Sequence, residues 1–311
     1  MFRRTSGFLC APPGEYDCSR LPPSTFHLPS AFQNHLPCVP PSSRRTIRPN
    51  LLSPEYVACM SSAKSEAIVI RLADFSESSR VVTFFSEEFG KISALAKGAK
   101  RLKSSFEGGI DLLSTCRIVF IQRPSTSLNL LTEAKLVRRF APSSGRLDSL
   151  YGGYYVAELL SSLTEDNDPH PLVYHDTILA LESFQEDTDP GPALARFELR
   201  LLQITGHLPS FDACVMCGVS ITEGRGPWGL WLAQGGVICK GCQKSEYKSH
   251  PLQTGTLRVL EKLAADDGSL GSRISISKQQ CDEIRTLTTK SIIYLLGRRP
   301  RLMRYVEPKS G

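Results

Sequence analysis

Four cysteines carry the clearest chemistry in the chain: Cys214-x-x-Cys217 and Cys239-x-x-Cys242, with 21 residues between the pairs. Zinc takes four thiolates tetrahedrally, and two residues between ligands let one tight turn offer both sulfurs to the same ion. Gly218 follows the first pair and Gly241 lies inside the second, where glycine suits positive φ and close backbone approach. A lone CxxC would leave a redox pair or disulfides open, but a second pair at ribbon spacing argues for metal. Four protein ligands leave no position for water, so one structural zinc ion is expected, on Cys214, Cys217, Cys239 and Cys242. Cys116 and Cys281 sit in apolar contexts and read as core residues. His207 is a spare ligand that four cysteines make unnecessary.

A second cluster is cationic. Lys97-Gly98-Ala99-Lys100-Arg101-Leu102-Lys103-Ser104-Ser105 packs four cations, two hydroxyls and a glycine into nine residues. Cations on a loop beside a β-face suit a phosphate backbone, because they displace condensed counterions without base-specific geometry. Neutralising about four phosphates of a single strand would weaken binding roughly 50-fold between about 50 and 200 mM salt. Arg80 and Arg123 extend the DNA-binding candidates beyond Lys97, Lys100, Arg101 and Lys103, and Arg138 and Arg139 could widen the positive surface. A solvated charged turn is the plainer alternative. Phe84, Phe85, Phe89 and Phe106 offer stacking faces for bases, although a small β-core needs phenylalanines too.

Other chemistry is missing from the sequence. It holds no G-x-x-x-x-G-K-[ST], no H-E-x-x-H and no G-x-S-x-G. The acidic runs Glu165–Asp168 and Glu186–Asp189 stand beside prolines at helix breaks and read as solvated loops. No catalytic constellation assembles, so no enzyme is expected.

Two kinds of element must position these groups. Ala67–Leu72, Arg80–Ser86, Lys91–Lys97, Thr115–Gln122 and Leu128–Phe140 are short runs rich in Val, Ile, Phe, Thr and Leu, broken at Gly90 and at Pro124-Ser125. Five such strands in about 75 residues suit a small barrel such as an OB-fold, with an SH3-like barrel giving nearly the same string. After Pro142 the period becomes helical. Leu147–Leu163 and Leu172–Phe184 are helices, as is the stripe Leu194, Phe197, Leu201 and Ile204, edged by Arg196 and Arg200 and stopped by Gly206 and Pro209. Between the cysteine pairs, Trp228–Leu232 and Gln234–Val237 read as a hairpin, as in zinc ribbons. Ile284, Leu287 and Leu295 mark a last long helix ending at Gly297 and Pro300. The fold class is therefore α+β: an amino-terminal small β-barrel over 63–141, then a helical domain over 142–305 with a four-cysteine ribbon inserted at 210–245.

Composition agrees. The 311 residues carry 37 Lys+Arg, 31 Asp+Glu and 41% hydrophobic residues, ordinary for a chain with real cores. No apolar run approaches the roughly 20 residues of a membrane helix, and ten cysteines are too sparse for a small disulfide scaffold. Charge is uneven: residues 63–140 are at +5 and residues 141–311 at −2. Residues 1–62 hold ten of the 21 prolines, six Arg and no Lys, and read as disorder. Their Arg-rich, acid-poor composition also describes a transit peptide. Met60, just before the first patterned segment, favours a start codon assigned too early.

Several linked motifs then resemble one family. Glu66–Arg71, Ser76–Arg80, Thr83–Ser86, Gly90-Lys91 and above all Ala96–Ser104 resemble the amino-terminal segment of the bacterial RecO family. Phe197–Leu202, Gly206, Pro209 and Cys214-x-x-Cys217-Gly218 resemble the approach to its zinc ribbon, and Leu295–Arg299 its carboxy-terminal end. The resemblance spans about 63–305, and residues 1–62 have no counterpart in it. It implies an OB-fold, a helical domain and a zinc ribbon. It also implies a non-enzymatic, cytoplasmic and nucleoid-associated mediator of recombinational repair. Such a protein binds single- and double-stranded DNA and anneals complementary strands without ATP. With RecR it loads RecA onto strands coated by single-stranded DNA-binding protein. That protein's acidic tail is recognised through the helical domain, for which Arg196 and Arg200 are candidates. Outside the family, a zinc-ribbon RNA-binding module, an adaptor and an unrecognised nucleic-acid enzyme remain as alternatives.

Overall fold

In the computed structural model, the residues described are 62–101, 106, 110–123, 128–143, 145–224, 226–244, 251–265 and 276–307. The expectation for 1–62 lies outside them, save for Ser62.

The five expected strands are β1 (Ser62–Asp74), β2 (Arg80–Ser86), β3 (Gly90–Ala96), β4 (Thr115–Ile121) and β5 (Asn129–Arg138). β1 starts five residues earlier than its apolar run, because its polar first half is laddered onto β4 from Ser62 opposite Ile121. The order is β1-β2-β3-β5-β4, and the β1–β4 ladder brings the last strand back to the first. All pairs are antiparallel except β3 with β5. Alternation sorts the side chains: Ala67, Val69, Phe84 and Phe120 pack together on one face, while Ile68, Ile70 and Phe85 join the helices on the other.

Among the described residues five α-helices follow: α1 (Leu147–Leu163), α2 (Pro171–Ser183), α3 (Gly191–Ile204), α4 (Thr254–Ala265) and α5 (Lys278–Leu296). Proline in the first turn starts α2 and α3, where its missing N–H costs nothing. α5 opens on a capping box: Ser277 Oγ accepts from the Gln280 N–H and Gln280 Oε1 from the Ser277 N–H. Gly206 and Gly297, at φ +74° and +62°, end α3 and α5 as expected. α4 has no counterpart in the sequence expectation.

α3 is the axis of the helical part. Its expected stripe of Leu194, Phe197 and Leu201 packs with α1, α2 and the β1 face, while Ala195 and Leu199 on its other side pack against the cysteine ribbon. The ribbon is a four-stranded sheet of β6 (Ser210–Cys214), β7 (Trp228–Trp231), β8 (Gly236–Ile238) and β9 (Pro251–Leu252), in the order β6-β8-β7-β9. The expected hairpin is β7 with β8, and β6 adds parallel to β8. Trp228 is fully buried at its centre, donating from Nε1 to Thr254 Oγ1 at 3.2 Å.

Strands, ribbon and helices belong to one unit, Val57–Gly311. Gly90, at φ +65°, lies so close to the α1–α2 linker that a Cβ there would sit 1.9 Å from the Asp168 carbonyl oxygen. Beside it Lys91 Nζ donates to the carbonyls of Ser161 (3.1 Å) and Thr164 (2.6 Å) and pairs with Asp166. The acidic run Glu165–Asp168, expected as a solvated loop, does expose its side chains, but its backbone bridges to β3 at Lys91. Among the described residues no helix is long and apolar enough to cross a membrane.

Candidate metal centre and nucleic-acid interface

Cys214 ends β6 and Cys239 follows β8, so the parallel β6–β8 pairing brings the two CxxC turns together. The first turn is closed by the Gly218 N–H on the Cys214 carbonyl (2.8 Å) and the Cys214 N–H on the Val219 carbonyl (2.9 Å). Gly218 takes φ +74°, as expected. Gly241 is not among the positive-φ glycines, and a Cβ there would meet nothing nearer than Cys239 Sγ at 4.0 Å, so its expected role falls away. The second turn is closed by the Cys242 and Gln243 N–H groups on the Cys239 carbonyl.

The four sulfurs lie within 4.8 Å of one another, and Cys217 and Cys239 are 3.7 Å apart. An S4 tetrahedron with metal–sulfur bonds of about 2.3 Å has an edge of about 3.8 Å, so the quartet fits a metal ion of that kind. Burial pushes the Cys214 thiol up, but N–H groups of Cys239, Cys217 and Met216 outweigh it and bring the thiol to about 6. Cys242 is pushed up to about 12 by the sulfurs of Cys217 and Cys239. Like charges this close disfavour ionising the whole quartet, so a cation would be needed to hold all four as thiolates. Cys116 and Cys281 are buried apart from the quartet, their thiols raised by burial to about 12 and about 11. His207 is exposed and bonds Thr205 instead.

The cationic loop leaves β3 at Lys97 and folds back on the β1–β2 turn. Gly98, at φ +74°, makes the bend, and the Lys100 N–H donates to the Ser78 carbonyl at 3.1 Å. Asp74, the last residue of β1, then pairs with Arg80 Nε at 3.2 Å through one oxygen and with Lys100 Nζ at 3.0 Å through the other. The Lys100 bond, ahead of that to Arg80, holds the Asp74 carboxyl below its usual range. Two candidate cations thus share one carboxylate. Lys97 and Arg101 are exposed, with no carboxylate against them among the described residues. Lys103 lies outside the described residues. Arg123 is half-buried past β4, and its N–H donates to Asn129 Oδ1, on the residue that β5 places opposite Ala94 of β3. Arg138 and Arg139 pair with Glu182 and Asp111.

The phenylalanines are core. Phe84, Phe85 and Phe106 are buried, and Phe89 meets Phe120 edge to face at 5.4 Å.

Arg196 and Arg200 line a groove between α2 and α3 with Leu179, Ala180 and Phe197. Arg200 is buried, donating to Asp176 Oδ2 at 3.2 Å and to Gln203 Oε1 at 3.1 Å. Burial raises the Asp176 carboxyl, against the pull of Arg200.

Glu198 was not anticipated from the sequence. Fully buried on α3, it accepts from Tyr155 Oη at 2.8 Å and Thr288 Oγ1 at 2.5 Å, and faces Arg285 Nε at 3.3 Å. Arg285 Nη2 donates to the Val306 carbonyl at 2.9 Å. Burial raises the Glu198 carboxyl and Arg285 opposes the rise. An acid set between two apolar stripes of one helix was the available signal.

Comparison with known proteins assigns both halves together. The model described as "Recombination protein O N terminal" matches residues 60–140, and that described as "Recombination protein O C terminal" matches residues 144–304. A relative named DNA repair protein RecO, from Rhodopirellula baltica, is 40% identical over 200 residues, 64% of this chain and 74% of its own length. Another of that name, from Anaeromyxobacter dehalogenans, is 32% identical over 250 residues, 80% of this chain and 97% of its own. One from Listeria monocytogenes is 33% identical over 190 residues, 60% and 71% of the two chains. The chain belongs to the recombination protein O family, and its role lies in DNA repair and recombination.

Proposed function

We propose that this protein is a non-enzymatic recombination mediator that binds DNA through its five-stranded domain, an OB-fold over 63–141, and anneals complementary strands without ATP. The observation that carries the reading is the cationic loop bound to the end of β1, with Lys97 and Arg101 left to meet phosphates. Two strands repel through their phosphates, and a positive surface that covers both lowers the repulsion while base edges stay free to pair. The loop's backbone bonds hold those cations in place, so less ordering entropy opposes binding.

The reading extends to partners. With RecR the protein loads RecA onto strands coated by single-stranded DNA-binding protein. For that protein's acidic tail the α2–α3 groove offers Arg196 and Arg200 beside Leu179, Ala180 and Phe197, with Asp176, Glu186 and Asp189 also in its lining. Arg200 also holds Asp176 at 3.2 Å. One zinc ion on Cys214, Cys217, Cys239 and Cys242 holds the ribbon of residues 210–245 together. With four thiolates on it, zinc has no open position for a reaction and contributes folding energy. The cytoplasm and nucleoid are where such a protein works.

The test is annealing of two complementary oligonucleotides by the full chain without ATP, bare and coated with single-stranded DNA-binding protein. Acceleration on coated strands is expected. No acceleration by folded, metal-loaded protein would overturn the mediator reading, and a strong preference for RNA would favour the RNA-binding alternative.

A further inference from the structure

A second group of cations lines a groove beside β1. The groove, of about 780 Å3, runs between β1, α1 and the segment after α5, and its lining includes Arg71, Arg298, Arg299 and Arg301. All four residues are exposed. Arg299 pairs with Glu307. Among the described residues no carboxylate pairs with the guanidinium of Arg71, Arg298 or Arg301.

Two local devices put these arginines there. Along β1, Ala67 and Val69 belong to the interior of the strand domain, so strict alternation would turn residue 71 inward as well. The register slips between Val69 and Arg71, with Val69 opposite Phe84 and Arg71 opposite Thr83. This bulge leaves Arg71 exposed and packs Leu72 against the interior instead. At the other wall Gly297 ends α5 in the left-handed conformation and Pro300 is buried. Glu158 of α1 accepts the Arg301 N–H at 2.7 Å and the Leu302 N–H at 2.9 Å, one on each oxygen. Among the described lining residues the one carboxylate is thus committed to main chain, where it fixes the turn that carries the arginines.

We infer that this groove holds the sugar-phosphate backbone of a single DNA strand, gripped by Arg71, Arg298 and Arg301. The inference rests on the DNA-binding reading above and extends its track. Arg71 stands three residues along β1 from Asp74, which anchors Lys100 and Arg80, so the strand whose end carries the loop also forms a wall of the groove. Guanidinium groups match phosphate oxygens with paired N–H donors. Charge supplies the complementarity, and Tyr154 in the lining offers a ring for a base to stack on.

The test uses the full chain and a labelled oligo-dT strand, with affinity followed against salt. Removing two phosphate contacts in Arg298→Ala/Arg301→Ala should make the log–log slope shallower by about 1.4 and weaken binding about 25-fold at about 0.1 M salt. Arg71→Ala, on a different element, should cost about fivefold and about 0.7 of slope. Replacing Arg298 and Arg301 by Lys keeps the charge and should restore most of the slope, which a packing role would not do. Wild-type slopes in both alanine variants, at unchanged thermal midpoints, would overturn the inference while leaving the loop reading intact. Loss of binding to a poly-glutamate peptide with an unchanged DNA slope would overturn it in favour of an acidic protein partner. If the unmodified protein shows no salt-sensitive DNA binding, the underlying reading fails and the groove proposal falls with it.

Discussion

Asp74 divides the cations of the loop into two classes. Arg80 and Lys100 are tied to its two oxygens, whereas Lys97 and Arg101 are not. A phosphate meeting Lys97 or Arg101 displaces only water and counterions, while one meeting Arg80 or Lys100 competes with a carboxylate. Lys97→Ala/Arg101→Ala should therefore lower the salt slope of single-strand binding by about 1.4. Asp74→Asn should steepen it, a contrast read by titrating one oligonucleotide at several salt concentrations. The pair's pH window follows from its sign. Asp74 sits below its usual carboxylate value when folded, so its anchoring is present above that value and is lost as pH falls through the lower, folded one. The loop is accordingly anchored throughout the neutral range. At the cysteines, Cys217→Ser removes one corner of the quartet. Metal-linked folding energy of about 10 kcal/mol is comparable with a whole domain's stability. With zinc on the quartet as proposed, the variant should lose the metal, measured by elemental analysis, and open the 210–245 segment to protease while the strand domain stays protected.

Among the elements, α3 matters most because it is buried on two sides at once. One stripe serves the core shared with β1 and the other serves the ribbon. Glu198 lies between them and joins α3 to α1 through Tyr155 and to α5 through Thr288 and Arg285. Breaking a buried pair strands its partner, so Glu198→Ala should cost about 3–5 kcal/mol. That corresponds to a thermal midpoint lower by about 10 °C, measured by calorimetry. The expected stripe on α3 was legible because Leu194, Phe197 and Leu201 keep the helical period. The second stripe, on Ala195 and Leu199, was hidden because small and aliphatic residues on both sides blur the period. α4 escaped for a related reason: its buried Leu257, Leu260 and Leu263 recur in a short segment of mixed charge. Only the packing of those leucines against the ribbon distinguishes it from a polar connector.

Across the whole molecule the strand domain and the helices share one core. Ile68, Ile70 and Phe85 pack with α1 and α3 residues, and Gly90 and Lys91 fasten β3 to the α1–α2 linker. A DNA strand bound along β1 would therefore lie against both the strand domain and α1. Local chemistry was readable in the chain: the two CxxC pairs, the cationic loop, the strand runs, and Gly206 and Gly297 at helix ends. Each is a short-range pattern, enforced by spacing of a few residues along one element. Long-range pairing was not readable. That Asp74 neutralises Lys100, that β6 lies parallel to β8, that a bulge turns Arg71 outward to face Arg298 and Arg301, and that Arg200 is buried on Asp176 all depend on which elements meet. Those meetings are set by sheet closure and by burial of apolar faces, and a one-residue shift in register sends a side chain to the opposite face.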